Sequence, residues 1–146
     1  MTAMVVAITR DEARVWRRGL DKGTVPQRVE RPSEAAQRHK TNQSQNHRGH
    51  DTDHKDPRFF DDVAERIVDA TEILLVGHGE GKGDYKDLFR AHLEHKYPQI
   101  AAHVVGNVDS DLNALTENQI LSIARDWFEA YHRWGFASDE PWVRHW

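Results

Sequence analysis

Three histidines, His47, His50 and His54, fall within the uninterrupted polar stretch "NQSQNHRGHDTDHKD", residues 42–56, with Asp51 and Asp53 between them and His39 upstream. Their close spacing and all nitrogen-and-oxygen donors suit zinc, nickel or copper. Such ligands also need partners that fix their orientation, and a stretch this polar offers little to hold them. The expectation is no resident cofactor, with His47, His50 and His54 as the residues that would take zinc or another divalent metal.

Contact with RNA is the second chemistry open to this stretch. Arg28, Arg31, Arg38, Lys40, Arg48, Lys55 and Arg58 stand against Glu30, Glu34, Asp51, Asp53 and Asp56, a mildly basic balance of seven cations to five anions. Histidines that titrate near neutrality add to it. Arginine, lysine and amide side chains on a polar limb can pair with phosphates and bases as the limb orders against RNA. The residues proposed for that contact are Arg38, Lys40, Gln43, Gln45, His47, Arg48, His50, Lys55 and Arg58. An ordinary hydrophilic loop is the plain alternative.

Other motifs argue against catalysis. "VGHGEGKG", residues 76–83, runs from an apolar segment through glycines, as phosphate cradles do. Val76 stands where a P-loop has its first glycine, Gly83 replaces the Ser/Thr, and Glu80 would repel a phosphate. A tight turn explains these glycines better. Two-metal phosphodiester cleavage needs carboxylates converging from central strands. Asp11, Glu12, Asp109 and Asp111 lie only at strand ends or turns, and Glu12 and Asp109 read as surface charges. With no cysteine, thiolate chemistry is excluded. No catalytic residue is assigned, and a non-enzymatic role is favoured.

The elements that would position these residues follow from patterning. "MVVAI", residues 4–8, and "EARVWRR", residues 12–18, form a hairpin around "TRDE". "TVPQRVER", residues 24–31, is a third strand that Pro26 confines to an edge. Residues 32–55 hold almost no apolar side chain and read as a long mobile loop. "DPRFFDDVAERIVDA" begins a helix at an Asp56 cap and Pro57, with Phe60, Val63, Ala64 and Ile67 on one face. "EILLVG", residues 72–77, has the continuous apolar run of a strand covered on both sides.

A second helix, capped by Asp84, carries Tyr85, Leu88, Phe89, His92 and Leu93 as far as Pro98. "HVVGNV", residues 103–108, is a further buried strand. Thr116 and Gln119 form a capping box for a last helix with Ile120, Ile123, Ala124, Trp127, Tyr131 and Trp134 on its stripe. An antiparallel hairpin followed by β-α-β-α-β-α requires a mixed sheet with parallel crossovers and helices packed on it.

At 146 residues with 38% hydrophobic content, the chain suits one domain, residues 1–135, followed by an aromatic tail, 136–146. The tail is expected to cover a sheet edge or to join two copies in a homodimer. A net charge of −4 gives no global attraction to nucleic acid or to an anionic membrane. The opening residues are too few and too soon interrupted by Arg10 for a signal segment, and no run has the ~20 apolar residues of a membrane span. A soluble cytoplasmic protein is expected.

In this order, "AITRDEARVWRR", the block from "DPRFF" to "HVVGNV", and "LTENQILSIARDWF" resemble the middle domain of the eukaryotic and archaeal peptide release factors and of Pelota. The likeness is closer to the small stand-alone bacterial translational machinery proteins. It covers most of residues 4–128. The resemblance implies a ribonuclease-H-like α/β fold and a translation-associated, ribosome- or RNA-binding role, with use under stress. In release factors the loop after the hairpin carries a glycine-glycine-glutamine triplet that positions water against peptidyl-tRNA. Here a lone Gly49 near Gln43 and Gln45 replaces it, so hydrolysis of peptidyl-tRNA is the alternative reading, beside a metal-dependent activity of the histidine-rich loop.

Overall fold

The computed structural model describes residues 2–31, 57–78 and 85–135. Five strands, β1 (Ala3–Ile8), β2 (Glu12–Trp16), β3 (Gln27–Glu30), β4 (Glu72–Gly77) and β5 (Val104–Asp109), form one sheet in the order β3-β2-β1-β4-β5. β1–β2 and β2–β3 are antiparallel, while β1–β4 and β4–β5 are parallel. Among the described residues four helices accompany them: α1 (Pro57–Arg66), α2 (Tyr85–Lys96), the short α3 (Pro98–Ala101) and α4 (Glu117–Trp134). This mixed α/β arrangement is consistent with a ribonuclease-H-like fold.

Alternation along the central strands builds two cores. Met4, Val6 and Ile8 of β1 and Ile73 and Leu75 of β4 face α1 and α2, where Phe59, Phe60, Val63, Ala64, Phe89 and Leu93 close the first core. Val5 and Ala7, with Leu74 and Val76, face α4, where Ile120, Leu121, Ala124, Trp127 and Phe128 close the second. Covered on both sides, "MVVAI" and "EILLVG" have no face to give to polar residues, which explains their unbroken apolar runs.

α4 begins at the expected capping box. Thr116 Oγ1 accepts from the Gln119 amide at 3.1 Å, and Gln119 Oε1 accepts from the Thr116 amide at 2.8 Å. It ends at Gly135, whose φ of 82° is the left-handed cap conformation.

Three expectations are corrected. β5 is an edge strand, with Val105 to Val108 only half-buried rather than enclosed. Its pairing steps from Ile73↔Val104 to Leu74↔Gly106, leaving Val105 as an extra residue that kinks the edge. Trp134 lies 57% exposed, off the core, because α4 outruns the sheet. Pro98 does not simply stop α2 but opens α3, since proline suits a first helical position.

Candidate nucleic-acid interface at the carboxyl ends of the parallel strands

Strand directions decide which connections share an end of the sheet. β1, β4 and β5 finish together at Ile8, Gly77 and Asp109, and β3, running with β1, finishes there at Glu30. The opposite end receives the last turn of α1, where Arg17, just past β2, donates through Nε to the Arg66 carbonyl at 2.6 Å. α1 therefore starts at the carboxyl end, and residues 32–56 join two points at that end. In sheets with parallel strands this is where ligands are met.

The hairpin beside it is braced by charge. Thr9 Oγ1 accepts from the amides of Asp11 and Glu12 at 3.2 and 3.3 Å, fixing the tight turn, and the Arg31 amide donates to the Asp11 carbonyl at 2.9 Å. Arg14 and Arg28 stand directly opposite each other on β2 and β3. Like charges so placed repel, and two glutamates offset them. Arg28 Nη1 donates to both Glu12 oxygens at 3.2 Å, and its Nη2 donates to Glu117 Oε2 at 2.8 Å. Arg14 Nη1 reaches the same Glu117 oxygen at 3.4 Å. Arg14 Nε is buried with no hydrogen-bond partner among the described residues, its nearest charge being Glu12 Oε2 at 3.6 Å. Glu12 is thus a structural counter-ion rather than a free surface charge.

At the ends of β4 and β5 lies a buried lysine that the sequence did not single out. Lys86, in the first turn of α2, is 2% exposed, and its Nζ meets Asp109 Oδ1 at 2.7 Å and Asp87 Oδ1 at 3.6 Å. His78 Nδ1 lies 3.8 Å from Asp111 Oδ1. Gly77 makes room for the stem, since a Cβ there would fall 2.8 Å from Lys86 Cβ. A two-metal nuclease would gather carboxylates here; the chain instead places its own ammonium beside Asp109 and Asp87. Among the described residues no three His, Asp or Glu side chains converge to hold a metal ion.

A second polar node joins α1 to α2. Asp61 Oδ1 accepts from the Tyr97 hydroxyl at 2.9 Å and lies 2.8 Å from His92 Nε2, while Oδ2 accepts from Lys96 Nζ at 2.8 Å. Burial pushes the Asp61 carboxyl up, but the hydrogen bonds from Lys96, His92 and Tyr97 together outweigh it and hold the group below its usual range. The Asp61 hydrogen bond raises Lys96; burial, then the same carboxylate, raises Tyr97. The node braces two helices, tying Asp61 of α1 to His92 and Lys96 of α2 and to Tyr97.

Of the residues expected to contact RNA, Arg58 is exposed in the first turn of α1. Arg38, Lys40, Gln43, Gln45, His47, Arg48, His50 and Lys55, and with them the metal candidate His54, lie outside the described residues, as does the tail from Phe136. Sequence reasoning missed Lys86, because a lysine in a helix reads as solvent-facing. It also missed the Arg14–Arg28 pairing, which depends on strand register.

No helix among the described residues is long and apolar enough to cross a membrane. No protein-family description matches the sequence, and no curated protein does either. Among solved structures the chain is similar to Pelota of Archaeoglobus fulgidus, with 15% identity and a TM-score of 0.43 over 90% of this chain and 39% of that one. It is also similar to the Pelota protein of Thermoplasma acidophilum, with 16% identity and a TM-score of 0.44 over 91% of this chain and 41% of that one. The chain thus spans about two fifths of the length of these proteins.

Proposed function

We propose that the protein is a non-enzymatic, translation-associated factor that contacts the ribosome or its RNA through residues 38–58. The observation that carries this reading is the place of that segment. It connects β3 to α1 at the carboxyl end of a 3-2-1-4-5 sheet, bounded by Arg31 and Arg58. The release-factor middle domain, which the sequence resembles, uses the corresponding loop to reach its RNA partner. Five cations and a run of histidines and amides give the segment the chemistry for phosphate and base contacts. The buried Lys86 ammonium beside Asp109 favours a binding role over two-metal cleavage.

Sedimentation of the purified protein with ribosomes and their subunits through sucrose gradients, at low and moderate salt, tests the reading. Co-sedimentation that weakens with salt and disappears when residues 38–55 are deleted is the expected result. Intact protein that stays at the top of the gradient at both salts refutes it.

A further inference from the structure

We propose that Arg14 and Arg28 form an oxyanion grip for a phosphodiester group of RNA, and that Glu117 fills the grip in the free protein as an internal competitor. The inference rests on the RNA-contact reading and gives it a second, ordered contact outside residues 38–58.

Three features of the cluster point this way. The two guanidinium groups project from directly opposed positions of neighbouring strands, an arrangement that is repulsive unless an anion sits with them. One oxygen of Glu117 serves both, at 2.8 and 3.4 Å, and Arg14 Nε is left without an acceptor. A phosphodiester offers two charged oxygens that match guanidinium forks, so it can satisfy donors that this single carboxylate oxygen cannot.

The contact is also easy to exchange. Arg28 is 50% exposed and Glu117 32% exposed, so water screens the pair and holds it weakly. Glu117 sits in the first turn of α4, while both arginines are anchored on strands. Displacing the carboxylate therefore moves one side chain and no backbone. Arg28 lies on β3 three residues before Arg31, the last described residue before residues 32–56, so the grip stands beside the root of that segment.

The test is fluorescence anisotropy of a short labelled oligouridylate, titrated at several salt concentrations with the wild-type protein, E117Q, R28A, R28A/E117Q, E30Q and, with and without E117Q, the deletion of residues 38–55. Glu30 lies opposite Glu12 on the same face, so E30Q removes one nearby negative charge without touching the grip. Removing the competing charge in E117Q, with Glu12 still in place, should tighten binding about three- to fivefold, the worth of an exposed ion pair. It should also steepen the salt dependence by roughly one phosphate contact, about 0.7 in the logarithmic slope for a single strand. R28A should weaken binding and remove the gain of E117Q.

Equal tightening in E30Q and E117Q, or a gain that survives R28A, overturns the grip in favour of a general charge effect. If the wild type binds RNA through residues 38–55 but E117Q binds no better, the grip falls and the segment reading stands. If E117Q binds while deletion of 38–55 has no effect, the grip stands alone. If no variant binds, both fall. Melting curves of each variant, expected to match the wild type because Arg28 and Glu117 lie at the surface, separate loss of the grip from loss of the fold.

Discussion

Gly106 of β5 lies under the Trp127 ring, and replacing it with alanine gives the sharpest test of how α4 seats on the sheet. A Cβ at Gly106 would fall 2.1 Å from Trp127 Cζ2 and 2.7 Å from Cη2, well inside van der Waals contact. The indole has little freedom to retreat. It stacks on Tyr131 at 5.2 Å and 14°, meets Phe128 edge-on at 5.3 Å, and is only 9% exposed. Relief must come from shifting α4 or bending β5, at an overpacking cost of about 3 kcal/mol, the upper part of the usual range. For a domain of this size that lowers the melting temperature by roughly 10 °C. The assay is thermal and urea unfolding of wild type, G106A, W127L and the double variant. If overlap is the cause, adding G106A to W127L should cost far less than adding it to the wild type, a coupling of about 2 kcal/mol. A G106A protein that melts within about 2 °C of wild type, or full additivity in the cycle, would refute the packing described for this face.

Two other perturbations test the polar nodes. Asp61 has a folded pKa below its unfolded value of 3.8, so its stabilisation is present above that value and is lost as pH falls through the folded one. D61N should cost about 2 kcal/mol near neutrality, and the gap from wild type in urea melts should close on acidification below about pH 4. A gap that stays constant down to pH 2 would contradict the node. At Lys86, methionine keeps the stem that packs over Gly77 and removes only the charge, leaving the 62%-exposed Asp109 to water. K86M should therefore stay within about 1 kcal/mol of wild type while K86A loses about 2, from the space it opens. Equal losses would mean that the ion pair, rather than packing, holds this corner.

Much of the fold was legible because it rests on short-range patterns. "EILLVG" is β4 to the residue, since a strand covered on both faces must be apolar throughout. The Thr116–Gln119 box marks the start of α4, since capping chemistry is local. Pro26 foretold that the third strand would be an edge. β5 was misread because "HVVGNV" looks as apolar as β4; its edge position comes from strand order, which no local run encodes. Trp134 followed the helical stripe of its neighbours, but the stripe says nothing of where the sheet ends beneath it. Lys86 and the Arg14–Arg28 pair escaped for the same reason: their partners, Asp109 and Glu117, are distant in the chain. The candidate residues of 38–55 were chosen by composition, which specifies a chemistry and not a geometry.

Residues 31 and 57 stand at one end of the sheet, with α1 packed against β3. The entropy of closing a loop between two such points grows only logarithmically with its length, so doubling the length costs about 0.6 kcal/mol. Changes in the number of residues between them should therefore cost the frame little. Substitutions in β1 or β4, by contrast, should register first in folding, because Val5, Val6, Leu74 and Leu75 are fully buried.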